Sequence, residues 1–176
     1  KTCEAVDKVL VSTDHSDIYA LAKKLESATP SLRPASLATD SARTVDVISN
    51  LVSEGVIHSD DCVVLLQPSS PLRTLKHLEA VCDVMSSQWD KIDAIVSVCE
   101  IDGPTPYKAQ VIKNGFLHSL LGQDSTVPRQ SLPITYIPNG AFYLVKVSAL
   151  LDENTFTPSR SVPYRMPAIE SLNLDG

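Results

Sequence analysis

An α/β fold, with a mainly parallel sheet and helices on both faces, is what this sequence predicts. Three apolar runs, at residues 9–14, 63–66 and 93–99, alternate with helical periodicities in the order β-α-β-α-β. Between the second run and its helix lies a polar, proline-punctuated turn, Gln67-Pro68-Ser69-Ser70-Pro71-Leu72-Arg73. Strand, rigid turn and helix in succession present polar groups at the carboxyl ends of strands, where such sheets bind ligands.

Each element has a local reason. Residues 9–14 form an apolar strand that ends in polar residues, and Asp14 reads as a turn or cap residue. Residues 17–25 follow as an amphipathic helix through Ile18, Leu21, Ala22 and Leu25. Residues 32–40 show neither helical nor strand period and read as a surface loop leading into a helix start rich in capping residues at 41–48. Val63-Val64-Leu65-Leu66 reads as a short strand buried on both faces. Pro68 and Pro71 cannot extend a ladder, and each biases its predecessor away from helix. Thr74 is an N-cap candidate for a helix whose apolar stripe is Leu75, Leu78, Val81, Cys82 and Met85. Residues 93–99 make a third buried strand, after a short loop carrying Trp89.

The character changes near Gly103. Pro104, Pro106, Asn114-Gly115 and Gly122 punctuate short apolar pieces, and Asn114-Gly115 suits a type I′ turn. Residues 104–137 then form a hairpin-like arm outside the parallel core. Residues 137–145 are a turn feeding another strand, in which Gly140 allows close backbone approach to a ligand. A helix around Val147 to Leu151 follows.

A hydrophobic content of 43% and a charged content of 20% fit one globular domain over residues 1–176. The net charge of −6 argues against a general nucleic-acid or anionic-membrane binder, but a nucleotide needs only a local basic pocket. No apolar run approaches the roughly 20 residues of a membrane span. Cys3, Cys62, Cys82 and Cys99 show no CxxC pairing, so free thiols in a reducing cytoplasm are the reading. His15, His58, His77 and His118 lack metal spacing and read as ordinary surface or loop residues. No GxSxG elbow makes Ser69 or Ser70 a nucleophile, and no Gly-rich phosphate loop occurs among the six glycines.

On the residues alone, the 67–73 turn is equally a stiff βα loop. The run Leu66-Gln67-Pro68-Ser69-Ser70-Pro71-Leu72-Arg73, however, closely resembles the LQPTSPLR signature of the acylneuraminate cytidylyltransferases, which make CMP-sialic acid. Further segments agree with that family in chain order: VSTD at 11–14, LRPxxLAxD at 32–40, Pro106-Tyr107-Lys108, Pro128-Arg129-Gln130 and Pro138-Asn139-Gly140-Ala141. The resemblance spans essentially the whole chain and implies a Rossmann-like nucleotidyltransferase fold, with residues 104–137 a dimerisation arm. It also implies a phosphate-loop unit of roughly 40 residues ahead of Lys1 and a final helix beyond Gly176.

What the resemblance implies for the site is specific. Arg33, Ala42 and Thr44 would clasp the cytosine and ribose; an arginine and main-chain groups at a helix start can read a pyrimidine edge. Gln67, Asn139 and Tyr143 would bind the sugar, with Gln67, Lys108 and Arg129 as the catalytic set and the two basic residues taking the sugar carboxylate or developing charge. Family members carry SxDxD near the end of the chain, two alternate carboxylates on a strand that hold magnesium. Here Asn173 replaces the first and Asp175 is the second. The implied reaction transfers CMP from CTP to the anomeric hydroxyl of N-acetylneuraminate or a related nonulosonic acid, by a cytoplasmic homodimer with no nucleic-acid or membrane partner. Legionaminate, pseudaminate or another keto sugar acid, with CTP or GTP, is the alternative substrate pair. A catalytically weak, dimerising cytidylyltransferase-like module is the alternative class.

Overall fold

The computed structural model describes residues 3–101, 103, 105–122 and 126–174. The chain divides into two compact units. One comprises Lys1–Leu65, Thr74–Ile95 and Tyr143–Val162, the other Leu66–Arg73, Val96–Phe142 and Pro163–Gly176.

In the first unit, β1 (Leu10–Thr13) pairs in parallel with β2 (Thr29–Leu32), with α1 (Ser16–Ala22) between them in sequence. The sequence expects α1 to run to Leu25, but beyond Ala22 the backbone bonds tighten to i→i−3, Lys24 to Leu21 and Leu25 to Ala22. Strand β2 is hidden in the sequence because Pro30 and Ser31 break its period; a two-stranded sheet has only edges, where proline is tolerated. Helix α2 (Thr44–Ser53) buries Val45, Val47, Ile48 and Leu51. These pack with Ile57, Ala94 and Val145, and with Val147 and Leu150 of α4 (Val147–Glu153). Fully burying one such side chain contributes about 1.5–3 kcal/mol, against about 1 kcal/mol net for a hydrogen bond, so this cluster holds the helices in place. Helix α3 (Leu75–Ser87) buries Val81, Cys82 and Met85 of the expected stripe. The Thr74 N–H donates to His77 Nδ1 at 3.3 Å, which makes His77 part of the helix cap.

The main sheet has the order β3-β7-β4-β8, formed by β3 (Cys62–Leu65), β4 (Ala94–Glu100), β7 (Tyr136–Lys146) and β8 (Ser161–Arg165). Strand β7 pairs antiparallel with β3, from Cys62 opposite Lys146 to Leu65 opposite Tyr143. The sheet is therefore mixed, with β7 inserted between β3 and β4. All four cysteines are free thiols, and burial pushes Cys62 up to about 12 and Cys82 up to about 11.

In the second unit, β5 (Gln110–Lys113) and β6 (Phe116–Ser119) form the expected hairpin. Asn114 and Gly115 both have positive φ, at 53° and 83°, as a type I′ turn requires. Ser97, fully buried, donates its hydroxyl to the Phe142 carbonyl and accepts the Phe142 N–H, both at 2.9 Å. The Tyr164 ring packs against Phe142, centroids 5.4 Å apart and planes tilted by 55°. The strand expected around residues 171–175 is not formed over 171–174. Pro167 ends the extended run and a 3-10 turn, Ala168–Glu170, follows, so β8 is the last strand among the described residues.

Candidate active site

The 67–73 turn is held from within by Arg73. Two of its residues, Pro68 and Pro71, have no backbone N–H to give. The guanidinium supplies what they lack: Nη1 donates to the Gln67 carbonyl, to that of Ser70 at 3.0 Å and to that of Ala141 at 3.3 Å. Burial lowers the Arg73 pKa from its ordinary value. Ser70 is buried and donates its hydroxyl to the Asn139 carbonyl at 3.2 Å. The Leu174 N–H donates to the Ser69 carbonyl at 2.9 Å, which ties the end of the described chain to the same turn.

Asn139, also buried, is engaged at both ends of its amide. Nδ2 donates to Ser171 Oγ at 2.9 Å and lies 3.4 Å from the Met166 sulfur, while Oδ1 accepts the Ala141 N–H at 3.2 Å. Gly140 follows with φ at +74°. A Cβ there would collide with Gln67 Oε1 and stand 3.2 Å from Ser70 Oγ and 3.3 Å from Asn173 Nδ2. Three polar side chains from two segments, the 67–73 turn and residue 173, therefore converge on one glycine. The structure brings Gln67, Asn139 and Asn173 together, and adds Ser70, Arg73 and Ser171.

Lys108 and Arg129 are exposed, in the 3-10 turns Pro106–Lys108 and Arg129–Ser131, apart from the hydrogen bonds around Gly140. In the first unit, Arg33 is folded onto the end of β1, with Nη2 donating to the Ser12 carbonyl at 3.0 Å and Nε to Ser12 Oγ at 3.3 Å. Thr44 is the first residue of α2, and the Ala42 N–H donates to the Thr39 carbonyl at 3.0 Å just before it. Arg43, the residue between them, is held by the Asn154 carbonyl and Oδ1 at 2.9 and 2.8 Å. The Tyr143 ring packs against Phe156, centroids 5.8 Å apart and planes tilted by 59°, and burial raises its hydroxyl pKa.

The metal expectation falls on Asn173, which is exposed, and on Asp175, which lies outside the described residues. Among the described residues, no group of three or more His, Cys, Asp or Glu could hold a metal ion. Magnesium takes one or two carboxylates and completes its shell with waters and substrate phosphates. An Asn/Asp pair fits that ion only with a phosphate group beside it.

Sequence reasoning passed over Arg73 and Ser171. For Arg73 the signal was present, since two prolines in five residues leave a turn short of backbone donors. For Ser171 there was none, because its role depends on the distant Asn139.

Comparison with known proteins identifies relatives of the chain. A family model described as cytidylyltransferase matches residues 1–103, more than half of the chain. The N-acylneuraminate cytidylyltransferase of Streptococcus agalactiae serotype V is 29% identical over 95% of this chain. The chain spans 39% of that curated relative's length. The CMP-N,N'-diacetyllegionaminic acid synthase of Legionella pneumophila subsp. pneumophila is 27% identical over 96% of this chain and 73% of its own. A solved structure of CMP:2-keto-3-deoxy-manno-octonic acid synthetase complexed with CTP shares the fold, with a TM-score of 0.59 at 12% identity over 93% of this chain and 73% of that one. The chain belongs to the cytidylyltransferase family.

Proposed function

We propose that this chain carries the catalytic part of a nucleotidyltransferase that moves CMP from CTP to the anomeric hydroxyl of N-acetylneuraminate or a related nonulosonic acid. The observation that carries this reading is the convergence of Gln67, Ser70 and Asn173 on Gly140, built from the turn that lies inside the family match. The names of the streptococcal and legionellal relatives support an acidic nine-carbon sugar as acceptor.

In the reaction, the sugar hydroxyl oxygen attacks the α-phosphorus of CTP and loses its proton. The bond from that phosphorus to the bridging oxygen breaks, and pyrophosphate leaves. Such transfer needs positioning and charge neutralisation more than covalent chemistry. Arg33, Ala42 and Thr44 would hold the cytosine and ribose. Gln67 would orient the sugar on a floor shaped by Asn139 and Gly140, with Tyr143 a further sugar contact. Lys108 and Arg129 would meet the sugar carboxylate and the charge that develops during transfer. Asn173 and Asp175 would hold a divalent cation, with magnesium the ion proposed; when bound it neutralises phosphate charge.

The arm supports assembly as a homodimer. Ile112, Phe116 and Leu117 on its hairpin are exposed apolar residues, the kind of surface a second copy covers. No helix among the described residues is long and apolar enough to cross a membrane. The free thiols support the cytoplasm as the compartment proposed.

The test is pyrophosphate release from CTP with a panel of N-acetylneuraminate, legionaminate and pseudaminate, repeated with GTP. Release with CTP and N-acetylneuraminate is expected. Preference for another acid or for GTP moves the substrate assignment, and no release with any pair overturns the enzymatic reading in favour of a dimerising module.

A further inference from the structure

We propose that Arg73 is a positioning residue for Gln67, fixing where the amide side chain stands without meeting a ligand itself. The inference rests on the reading of Gln67 as a sugar-binding group. A single nitrogen of Arg73 faces three carbonyl oxygens, those of Gln67, Ser70 and Ala141. Two N–H hydrogens therefore serve three acceptors. The first carbonyl belongs to Gln67 and the last to the residue after Gly140, against which Gln67 Oε1 rests. One guanidinium thus fixes both the backbone that launches the Gln67 side chain and the backbone that receives it.

The turn has few other means to do this. Pro68 and Pro71 carry no N–H, and the one backbone bond across the turn, from the Ser70 N–H to the Gln67 carbonyl, is long at 3.3 Å. Because only Nη1 is used among the described residues, the site asks for a cationic nitrogen at one point rather than for a planar fork. An ammonium, with three hydrogens for three carbonyls, meets that demand. Arg73→Lys should therefore preserve the placement of Gln67, and Arg73→Met, of similar bulk but neutral, should lose it.

The experiment follows the Gln67 side-chain NH2 resonances in the 15N-labelled chain, assigned by their loss in Gln67→Met. In the wild type they should be displaced from those of a free glutamine amide. They should keep that place in Arg73→Lys and collapse to the free position in Arg73→Met. In turnover, Arg73→Met should raise the sugar KM by about 10- to 100-fold, the scale of a displaced positioning group, with the CTP KM nearly unmoved. The double variant Gln67→Met/Arg73→Met should be no worse than Gln67→Met alone, since two residues acting as a unit are non-additive. Unmoved Gln67 resonances in Arg73→Met, or kinetic losses that add in the double variant, would overturn the assignment. If Arg73→Met does not fold, a folded Arg73→Lys with collapsed Gln67 resonances overturns it as well. A wild type with no turnover refutes the proposed function, and the resonances still decide the positioning.

Discussion

The side-chain oxygen of Gln67 occupies the place where a Cβ on Gly140 would stand. A side chain at position 140 would have to displace the Gln67 amide, and φ is +74°, a conformation that L residues rarely adopt. Gly140→Ala should cost about 1–3 kcal/mol through backbone strain and drive Gln67 from its position. Denaturant unfolding reads the first effect and sugar saturation the second. Full activity at lowered stability would separate Gln67 from sugar binding.

Gln67 itself offers a charge test. Gln67→Glu keeps the size and adds a negative charge beside an acid-bearing sugar, where like charges repel. The sugar KM should rise while the thermal midpoint stays unchanged. Wild-type kinetics in this variant would return Gln67 to the status of a loop residue.

Much of this arrangement was legible before any coordinates, and the reasons are local. The aliphatic run at 63–66, the stripe of α3 and the Asn114-Gly115 turn each announce themselves within a few residues. What stayed hidden depends on partners far along the chain. Strand β2 pairs as an edge in spite of Pro30, and β7 enters the sheet antiparallel beside β3. Ser70 meets the Asn139 carbonyl 69 positions away, a contact no periodicity encodes. The family signature led to Gln67, Asn139 and Asn173; the donor-poor turn hints at Arg73, but its three carbonyl partners and the Ser171 contact to Asn139 emerge only from hydrogen bonds.

Under the proposed function, Arg129 would meet the acidic sugar rather than the base. Arg129→Ala should cut turnover by about 10²-fold, the effect of losing one preorganised charge donor, with CTP affinity nearly constant. A large loss of CTP binding alongside normal sugar saturation would reverse that assignment.

Under the proposed function, Asn173 would give a cation site a neutral oxygen where a carboxylate would add charge. Asn173→Asp should lower the magnesium concentration at half activity and tighten magnesium binding measured calorimetrically with CTP present. Asp175→Asn should remove most activity. A magnesium dependence untouched by Asn173→Asp would move the metal away from this segment.

A separate prediction concerns stability. Arg160 donates to Asp93 through Nε and Nη2, each at 2.6 Å, and Lys146 adds a contact at 3.4 Å. Hydrogen bonds from Arg160 hold the Asp93 carboxyl below its ordinary pKa, against the opposing effect of burial. A depressed folded pKa gives stability that is present above the unfolded value, near 3.9, and lost as pH falls through the folded one. Asp93→Asn should lower the urea midpoint at pH 7 and flatten its decline in acid. An unchanged acid profile would show that the ion pair contributes nothing to the fold.

The most direct measurement of the central claim is the phosphorus NMR spectrum of the protein incubated with CTP, magnesium and N-acetylneuraminate. The account predicts that the three CTP resonances decline together while a CMP-sugar phosphodiester and pyrophosphate appear in equal amounts. Unchanged CTP, or CMP and pyrophosphate formed without any sugar phosphodiester, would contradict it.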